Sequence, residues 1–277
     1  MDEPIRYDGA LHFLFDLMKS SLICWLVAGL TLSAAPVWAE DVAIAQLFAQ
    51  EHAEGTLVLT ALHGDQQYIH NEQRAQHRYT PASTFKILNT LIALEEKKTS
   101  REEVLKWNGE QYDIPSWNRD QTLETAFQRS CVWCYQTYAR RIGAARYPYY
   151  LEQANYGVLR TPFNETTFWL DGALQISALE QIAFLKRMVQ KSLPFSPAAY
   201  DTLRDIMVME RTPDYTIRAK SGWSGRADPH IGWYVGYVET TDEIWLFALN
   251  MELADPARLP VRQKLVRAAL QQKGILP

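Results

Sequence analysis

The chain has 277 residues, 47% apolar and 22% charged, with 28 Lys+Arg against 32 Asp+Glu and a formal net charge of −4. Those values exclude a disordered, collagen-like or disulfide-scaffold chain. They also lack the basic excess of a nucleic-acid-binding protein. The length allows one large domain or two small ones, with a sizeable core.

The first segment reads as a targeting signal. Leu22–Ala35 is a mostly apolar run, with Lys19 before it and Val37-Trp38-Ala39 after it. That order is a secretory signal peptide, and the run falls short of the about 20 residues of a membrane span. Met1–Leu17 is acidic, which a signal peptide is not, so the true start reads as Met18. Cleavage is expected after about Ala39. The expected product is exported to the periplasm of a Gram-negative-type cell, with no stable membrane anchor. Residues 40–277 are then a single domain, with a helical subdomain over roughly 95–210.

In chain order, Asp41–Ala53 reads as a helix. Thr56–Leu62 and Gln67–His70 read as strands joined by a Gly64-Asp65 turn. Ser83–Leu94 is a helix with apolar residues at 85, 87, 88, 91, 92 and 94. Leu123–Arg141 is helical with a break near Ser130, and Tyr149–Asn155 is helical. Ser177-x-x-Glu180 is a capping box that opens a helix to about Lys191. Pro197 starts a helix over 197–210. The period then changes, and Thr216–Ser221, Ile231–Glu239 and Ile244–Met251 read as strands. Pro260 opens a terminal helix to about Lys273. Strands therefore sit at both ends and helices between. This predicts an α+β fold: an antiparallel sheet built from both chain ends, flanked by helices, with an all-helical insertion.

Cys24 lies in the signal segment, and Cys131 and Cys134 form Cys-Val-Trp-Cys. There is no second pair, and the six histidines lack ligand spacing, so no metal site is expected. The pair falls inside a helical pattern, which favours buried free thiols over a redox motif. A local disulfide stays open in an oxidising compartment.

Three short motifs carry the chemistry. Ser83-Thr84-Phe85-Lys86 opens a helix, and a spacing of three puts Ser83 and Lys86 on one face. A serine hydroxyl is a poor nucleophile, and a neutral lysine beside it can act as its base. Alone the motif is weak, since S-x-x-K arises about once by chance in a chain of this size. Ser130-Cys131-Val132 offers a second hydroxyl at the helix break. Lys220-Ser221-Gly222 ends a strand, where a glycine lets an extended substrate approach the sheet edge. Each piece has a plain alternative as surface residues, and the signal lies in the order of all three.

That order resembles the penicillin-recognising serine enzymes, whose mechanics are known from related members. Val132 in the second motif makes the chain look like a class D (oxacillinase-type) serine β-lactamase. Tyr156-Gly157, Phe168-Trp169-Leu170, Gln175-Ile176-Ser177-Ala178, Gly232–Tyr237 and Leu259-Pro260-Val261-Arg262 are similar to that family as well. The resemblance implies hydrolysis of the β-lactam ring of penicillins and related antibiotics, and so resistance to them. It implies Ser83 as the acylated nucleophile. Lys86 would be carboxylated by carbon dioxide and serve as general base, with no separate cofactor. Phe85, Val132, Trp169 and Leu170 would line its pocket. Ser130 would pass a proton to the leaving nitrogen, and Lys220 would set the local electrostatics. Backbone N–H groups of Ser83 and Trp223 would form the oxyanion hole. Ser221, Gly222 and Arg262 would hold the substrate carboxylate. The implied partner is a small β-lactam and no nucleic acid, and a homodimer is left open.

Two positions depart from the family pattern: Val158 follows Tyr156-Gly157 in place of Asn, and Ser221 stands where Thr is usual. Trp107, Trp117, Val158 and the segment 226–230 are read as the positions that set substrate preference. Two other classes compete. A membrane-receptor β-lactam sensor would acylate without turnover, and a cell-wall transpeptidase would usually carry Asn in the second motif. Gly222-Trp223-Ser224-Gly225-Arg226 misses G-x-S-x-G, which leaves a Ser-His-Asp hydrolase unsupported.

Overall fold

The computed structural model describes Met1, residues 39–225 and residues 229–277. The signal segment, Cys24 and the start at Met18 lie outside the described residues, as does most of the 226–230 segment. Residues 39–277 form one compact unit.

The chain opens with helix α1 (Val42–Gln50), capped by Asp41, whose side chain accepts from the Ile44 N–H. The hairpin β1 (Gly55–Ala61) and β2 (Gln67–His70) follows. After the short α2 (Glu72–Gln76), a 3-10 turn over Ala82–Phe85 runs directly into α3 (Lys86–Glu95). The middle of the chain holds the ribbon β3 (Val104–Leu105) with β4 (Gln121–Thr122), then α4 (Leu123–Gln128), α5 (Val132–Ile142) and α6 (Tyr147–Ala154). A second ribbon, β5 (Val158–Leu159) with β6 (Leu174–Gln175), precedes α7 (Ala178–Val189) and α8 (Pro197–Ile206). Four strands close the sheet: β7 (Val208–Arg211), β8 (Tyr215–Trp223), β9 (Ile231–Thr240) and β10 (Ile244–Glu252). Helix α9 (Val261–Gln272) ends the fold.

The main sheet is antiparallel in the order β2-β1-β10-β9-β8-β7. Strand β1 therefore pairs with β10, with Gly55 opposite Met251 and Ala61 opposite Trp245. That pairing joins the two ends of the chain, as the sequence predicts.

Helices cover both faces of this sheet. Because side chains alternate along a strand, each central strand feeds two cores. On one face Leu57, Leu59, Phe247, Leu249 and Tyr234 meet α1 and α9. On the other, Val58, Leu246, Ala248, Trp233 and Val235 meet the helical region. Burial on both faces is why β9 and β10 read as unbroken apolar runs rather than as alternation. Helix α3 lies inside the second core, with Lys86 through Ala93 all buried. Among the described residues no helix is long and apolar enough to cross a membrane.

Three expectations need correction. The helix expected over 197–210 stops at Ile206, and Val208–Arg211 is edge strand β7. Local propensity favours helix there, but the free edge of β8 recruits the segment, starting with the Ala219 N–H donating to Met207 O at 3.0 Å. The insertion is mostly helical, yet it carries the two small ribbons. Cys131 and Cys134 are a disulfide rather than free thiols. One turn at the start of a helix sets their Cα atoms 5.5 Å apart, within bonding range. The break near Ser130 and the capping box are as expected: Ser177 and Glu180 cap each other reciprocally.

Candidate active site

Ser83 lies in the 3-10 turn that leads into α3. Its neighbour Ala82 has φ +49°, a left-handed conformation that costs a non-glycine residue about 1–3 kcal/mol. Several bonds hold the turn in place. The Ala82 N–H donates to Trp169 O at 3.0 Å. The buried Trp233 indole donates to Thr80 O at 2.9 Å. Thr84 Oγ1 donates to Pro81 O at 2.7 Å and itself accepts from Gln181 Nε2 at 3.0 Å. Ser83 is half-buried, so its hydroxyl can be reached from solvent.

One turn on, Lys86 Nζ donates to Ser83 Oγ at 3.0 Å. The lysine side chain is only 1% exposed. Burial pushes its pKa well below the ordinary lysine value, and the nearby charge of Lys220 pushes the same way. Such an amine is neutral more readily than a surface lysine and can take a proton. The face of the Tyr135 ring lies 4.9 Å from Lys86 Nζ. The Tyr135 hydroxyl bonds Thr90 at 2.7 Å, which fixes that ring.

The second hydroxyl and the strand lysine also meet. Lys220 Nζ donates to Ser130 Oγ at 2.5 Å and to Ser221 O at 3.0 Å. Burial first, then the Arg262 charge, lowers the Lys220 pKa to about 7. Arg262 sits behind this strand, donating to the carbonyls of Gly222 and Leu259. Burial lowers its pKa to about 10, so it keeps its charge at neutral pH.

Strand β8 runs beside the Ser83 turn. A Cβ on Gly222 would lie 3.0 Å from Pro81 O and 3.2 Å from Thr84 N, so only glycine fits without displacement. Along β8 the N–H of Ala219 points off the β9 edge, toward Met207, while the N–H of Ser224 points to Ile231 on the β9 side. Strand alternation then aims the Trp223 N–H away from β9, toward the edge beside the Ser83 turn. That is the direction an oxyanion donor needs.

The aromatic residues assigned to the lysine pocket form one cluster. Phe85 stacks on Trp169 with ring centroids 5.8 Å apart and meets Phe168 edge-on at 5.1 Å. Trp169 is fully buried, yet its Nε1 has no hydrogen-bond partner among the described residues. Val132 opens α5 beside Ser130, and Leu170 packs half-buried on the same core.

The predicted residues thus converge as two hydrogen-bonded pairs, Ser83–Lys86 and Ser130–Lys220, backed by Arg262. Sequence reasoning missed Tyr135, Thr90, Gln181 and Ala82. Tyr135 follows Val132 by three along one helix face, so its spacing was a usable signal. The other three act through tertiary contacts with no pattern of their own.

Of the preference positions, Val158 is exposed and pairs with Gln175. The Trp107 indole donates to Glu110 O at 2.7 Å, and that of Trp117 to Arg129 O at 2.8 Å, one residue before Ser130.

A serine with a buried lysine, a second Ser–Lys pair and a strand edge within one α+β unit define a penicillin-recognising serine enzyme. Comparison with known proteins narrows the class. Residues 54–271 match the penicillin-binding protein transpeptidase domain. Beta-lactamase OXA-48 of Klebsiella pneumoniae is 40% identical over 246 residues, 88% of this chain and 93% of its own. Beta-lactamase OXA-20 of Pseudomonas aeruginosa is 38% identical over 234 residues, 83% of this chain and 86% of its own. The crystal structure of the class D β-lactamase FUS-1 (OXA-85) of Fusobacterium nucleatum subsp. polymorphum superposes with a TM-score of 0.83 at 34% identity, over 86% of this chain and 100% of that one. The chain belongs to the class D β-lactamases, serine hydrolases within the penicillin-binding transpeptidase family.

Proposed function

We propose that the chain opens β-lactam rings through an acyl-enzyme on Ser83, with Lys86 as the general base, and so confers resistance to these antibiotics. The observation that carries this reading is the buried, desolvated Lys86 amine 3.0 Å from the Ser83 hydroxyl. In the acylation step Ser83 Oγ bonds to the lactam carbonyl carbon and passes its proton to Lys86. The ring C–N bond breaks, and the nitrogen takes a proton from Ser130, which Lys220 restores. The N–H groups of Ser83 and Trp223 carry the developing negative charge on the carbonyl oxygen, a contribution of about 3–4 kcal/mol per donor in such sites. Ser221, Gly222 and Arg262 hold the substrate carboxylate, Arg262 as a fixed positive charge.

The residues around Lys86 also suit the carboxylated lysine that the family resemblance implies. A neutral amine is what reacts with carbon dioxide, and the unpartnered Trp169 Nε1 is a buried donor of the kind a carbamate oxygen needs. When bound, the carbon dioxide would supply a carboxylate-type base, active in both acylation and deacylation. Phe85, Val132, Trp169 and Leu170 would exclude water from it.

Hydrolysis of a chromogenic cephalosporin by the purified protein, with and without bicarbonate, tests the proposal. Multiple turnovers that rise with bicarbonate are expected. A single stoichiometric burst would replace the hydrolase by a sensor, and turnover indifferent to carbon dioxide depletion would remove the carbamate. Trp169→Phe keeps the ring and deletes the donor. It should raise the bicarbonate concentration for half-maximal activity by about tenfold, the scale of one lost hydrogen bond to a charged group. An unchanged bicarbonate curve would take Trp169 out of that role.

Lys220 gives a pH prediction. Below about pH 7 it is charged, and above that it is neutral while Arg262 stays charged. The KM for an anionic penicillin should therefore rise as pH passes 7. A flat KM from pH 6 to 8.5 would show that the Lys220 charge takes no part in binding.

Export to the periplasm belongs to the same proposal. The Leu22–Ala35 pattern and an oxidised Cys131–Cys134 pair both suit it. Sequencing the amino terminus of the secreted protein should find residue 40 or a near neighbour.

A further inference from the structure

We infer that the Cys131–Cys134 disulfide is a positioning element for Ser130, so that acylation depends on it and deacylation does not. The inference rests on the Ser83 acyl-enzyme reading above.

Ser130 occupies the seam between α4 and α5, with φ +55°. A non-glycine residue holds that conformation at a cost, here just past the end of α4, where left-handed residues are common. The conformation matters because the Ser130 hydroxyl is the group that meets Lys220 Nζ. Upstream, the seam is tied to α4: the Ser130 N–H donates to Phe127 O at 3.1 Å and the Cys131 N–H to Ala126 O at 2.9 Å. Downstream, the disulfide joins Cys131, the cap of α5, to Cys134 in its first turn.

The cap itself is weak. Cys131 Sγ accepts from the Cys134 N–H at 3.3 Å, and sulfur is a poor acceptor beside the oxygen of Ser, Thr or Asp. The covalent bond, rather than the cap, fixes the start of α5. Trp133 lies inside the ring that the bond closes, and its indole donates to Trp117 O at 3.1 Å. Trp117 in turn holds the Arg129 carbonyl at 2.8 Å. One bond thus braces both sides of Ser130. Both cysteines are 0% exposed, which leaves no access for a partner protein's thiol and argues against an oxidoreductase role. Deacylation draws on Lys86 from α3 and passes no proton through Ser130; the α5 ring that faces the Lys86 amine, Tyr135, is held by its own 2.7 Å bond to Thr90 of α3.

The test compares the wild-type protein with Cys131→Ala/Cys134→Ala. Cys131→Val/Cys134→Val, closer in buried volume, serves if the alanine pair does not fold. Iodoacetamide under denaturing, non-reducing conditions should label neither cysteine of the wild type. Labelling of both would overturn the inference. In rapid-quench experiments with a chromogenic cephalosporin, counted per active site, the folded double variant should acylate Ser83 about tenfold or more slowly, the scale set by a misplaced reacting group. Its acyl-enzyme should decay within twofold of the wild-type rate. A purely structural staple would lower the melting temperature and leave both rates per active site unchanged, and that result would overturn the inference. If wild type forms no Ser83 adduct, the hydrolase reading fails first, an outcome distinct from a variant that acylates normally.

Discussion

Lys86→Ala is expected to lower steady-state hydrolysis by about 10³–10⁴-fold, the range for loss of a general base in a group that acts as a unit. Long incubation with a penicillin should then leave a stable adduct on Ser83, seen as a mass increase of one substrate. The reason is local: within hydrogen-bond reach of Ser83 Oγ, the Lys86 amine is the base that the site provides, at 3.0 Å. Wild-type turnover in the variant would remove Lys86 from the mechanism. The same residue also burdens the fold. Its pKa is depressed in the folded protein, so between that value and about 10.4 the unfolded chain holds the extra proton. Stability therefore rises with pH through that window, and below the folded pKa the penalty is complete and constant. Lys86→Met keeps an unbranched side chain and removes the penalty. In carbon-dioxide-depleted buffer at pH 7 the methionine variant should melt above wild type, and the gap should close as pH approaches 10. A shift of about 2–4 °C per kcal/mol makes this measurable by calorimetry. A methionine variant that melts lower would show that the amine makes stabilising contacts outweighing its desolvation.

Gly222→Val should lower kcat/KM by about 10²-fold, as expected when reacting groups are displaced by about 1 Å. A Cβ there meets backbone atoms, Pro81 O and Thr84 N, which cannot swing aside like the end of a side chain. The turn that bears those atoms is held by Trp233 on Thr80 O, by Trp169 O on Ala82 N and by Thr84 on Pro81 O. The strand must move instead, and it carries Lys220, Ser221 and the Trp223 N–H with it. Overpacking of this kind costs about 1–3 kcal/mol of stability, so a lower melting temperature should accompany the kinetic loss. Wild-type kinetics in a folded variant would show that the strand has room, and that the close approach is incidental.

The limits of sequence reading show at particular residues. Strands β9 and β10 were legible because burial on both faces leaves continuous apolar runs. The α7 start was legible because Ser177 and Glu180 satisfy each other's backbone donors within four residues. Strand β7 was not, since Val208–Arg211 becomes strand only by pairing with β8, which lies later in the chain. The disulfide was not the favoured reading, because a CxxC inside a helical pattern points to buried thiols, and the bond depends on where the helix begins. Here the bond spans the cap of α5 at Cys131 and its first turn at Cys134.

By itself the sequence singled out the candidate reacting groups. Ser83, Lys86, Ser130, Lys220 and Gly222 sit in motifs whose order and spacing are local properties of the chain. The sheet built from both ends was equally determined, by the change of hydrophobic period along it. Only the tertiary structure decided the state of those groups. Lys86 loses its charge readily because α3 is buried on every side, and Lys220 is poised near neutrality because it is buried and, after that, because the Arg262 charge lies behind it. Trp169 is left with an unmatched donor because the fold buries it against Phe85. Desolvation and charge proximity depend on which distant segments meet, and no pattern of neighbours along the chain encodes that.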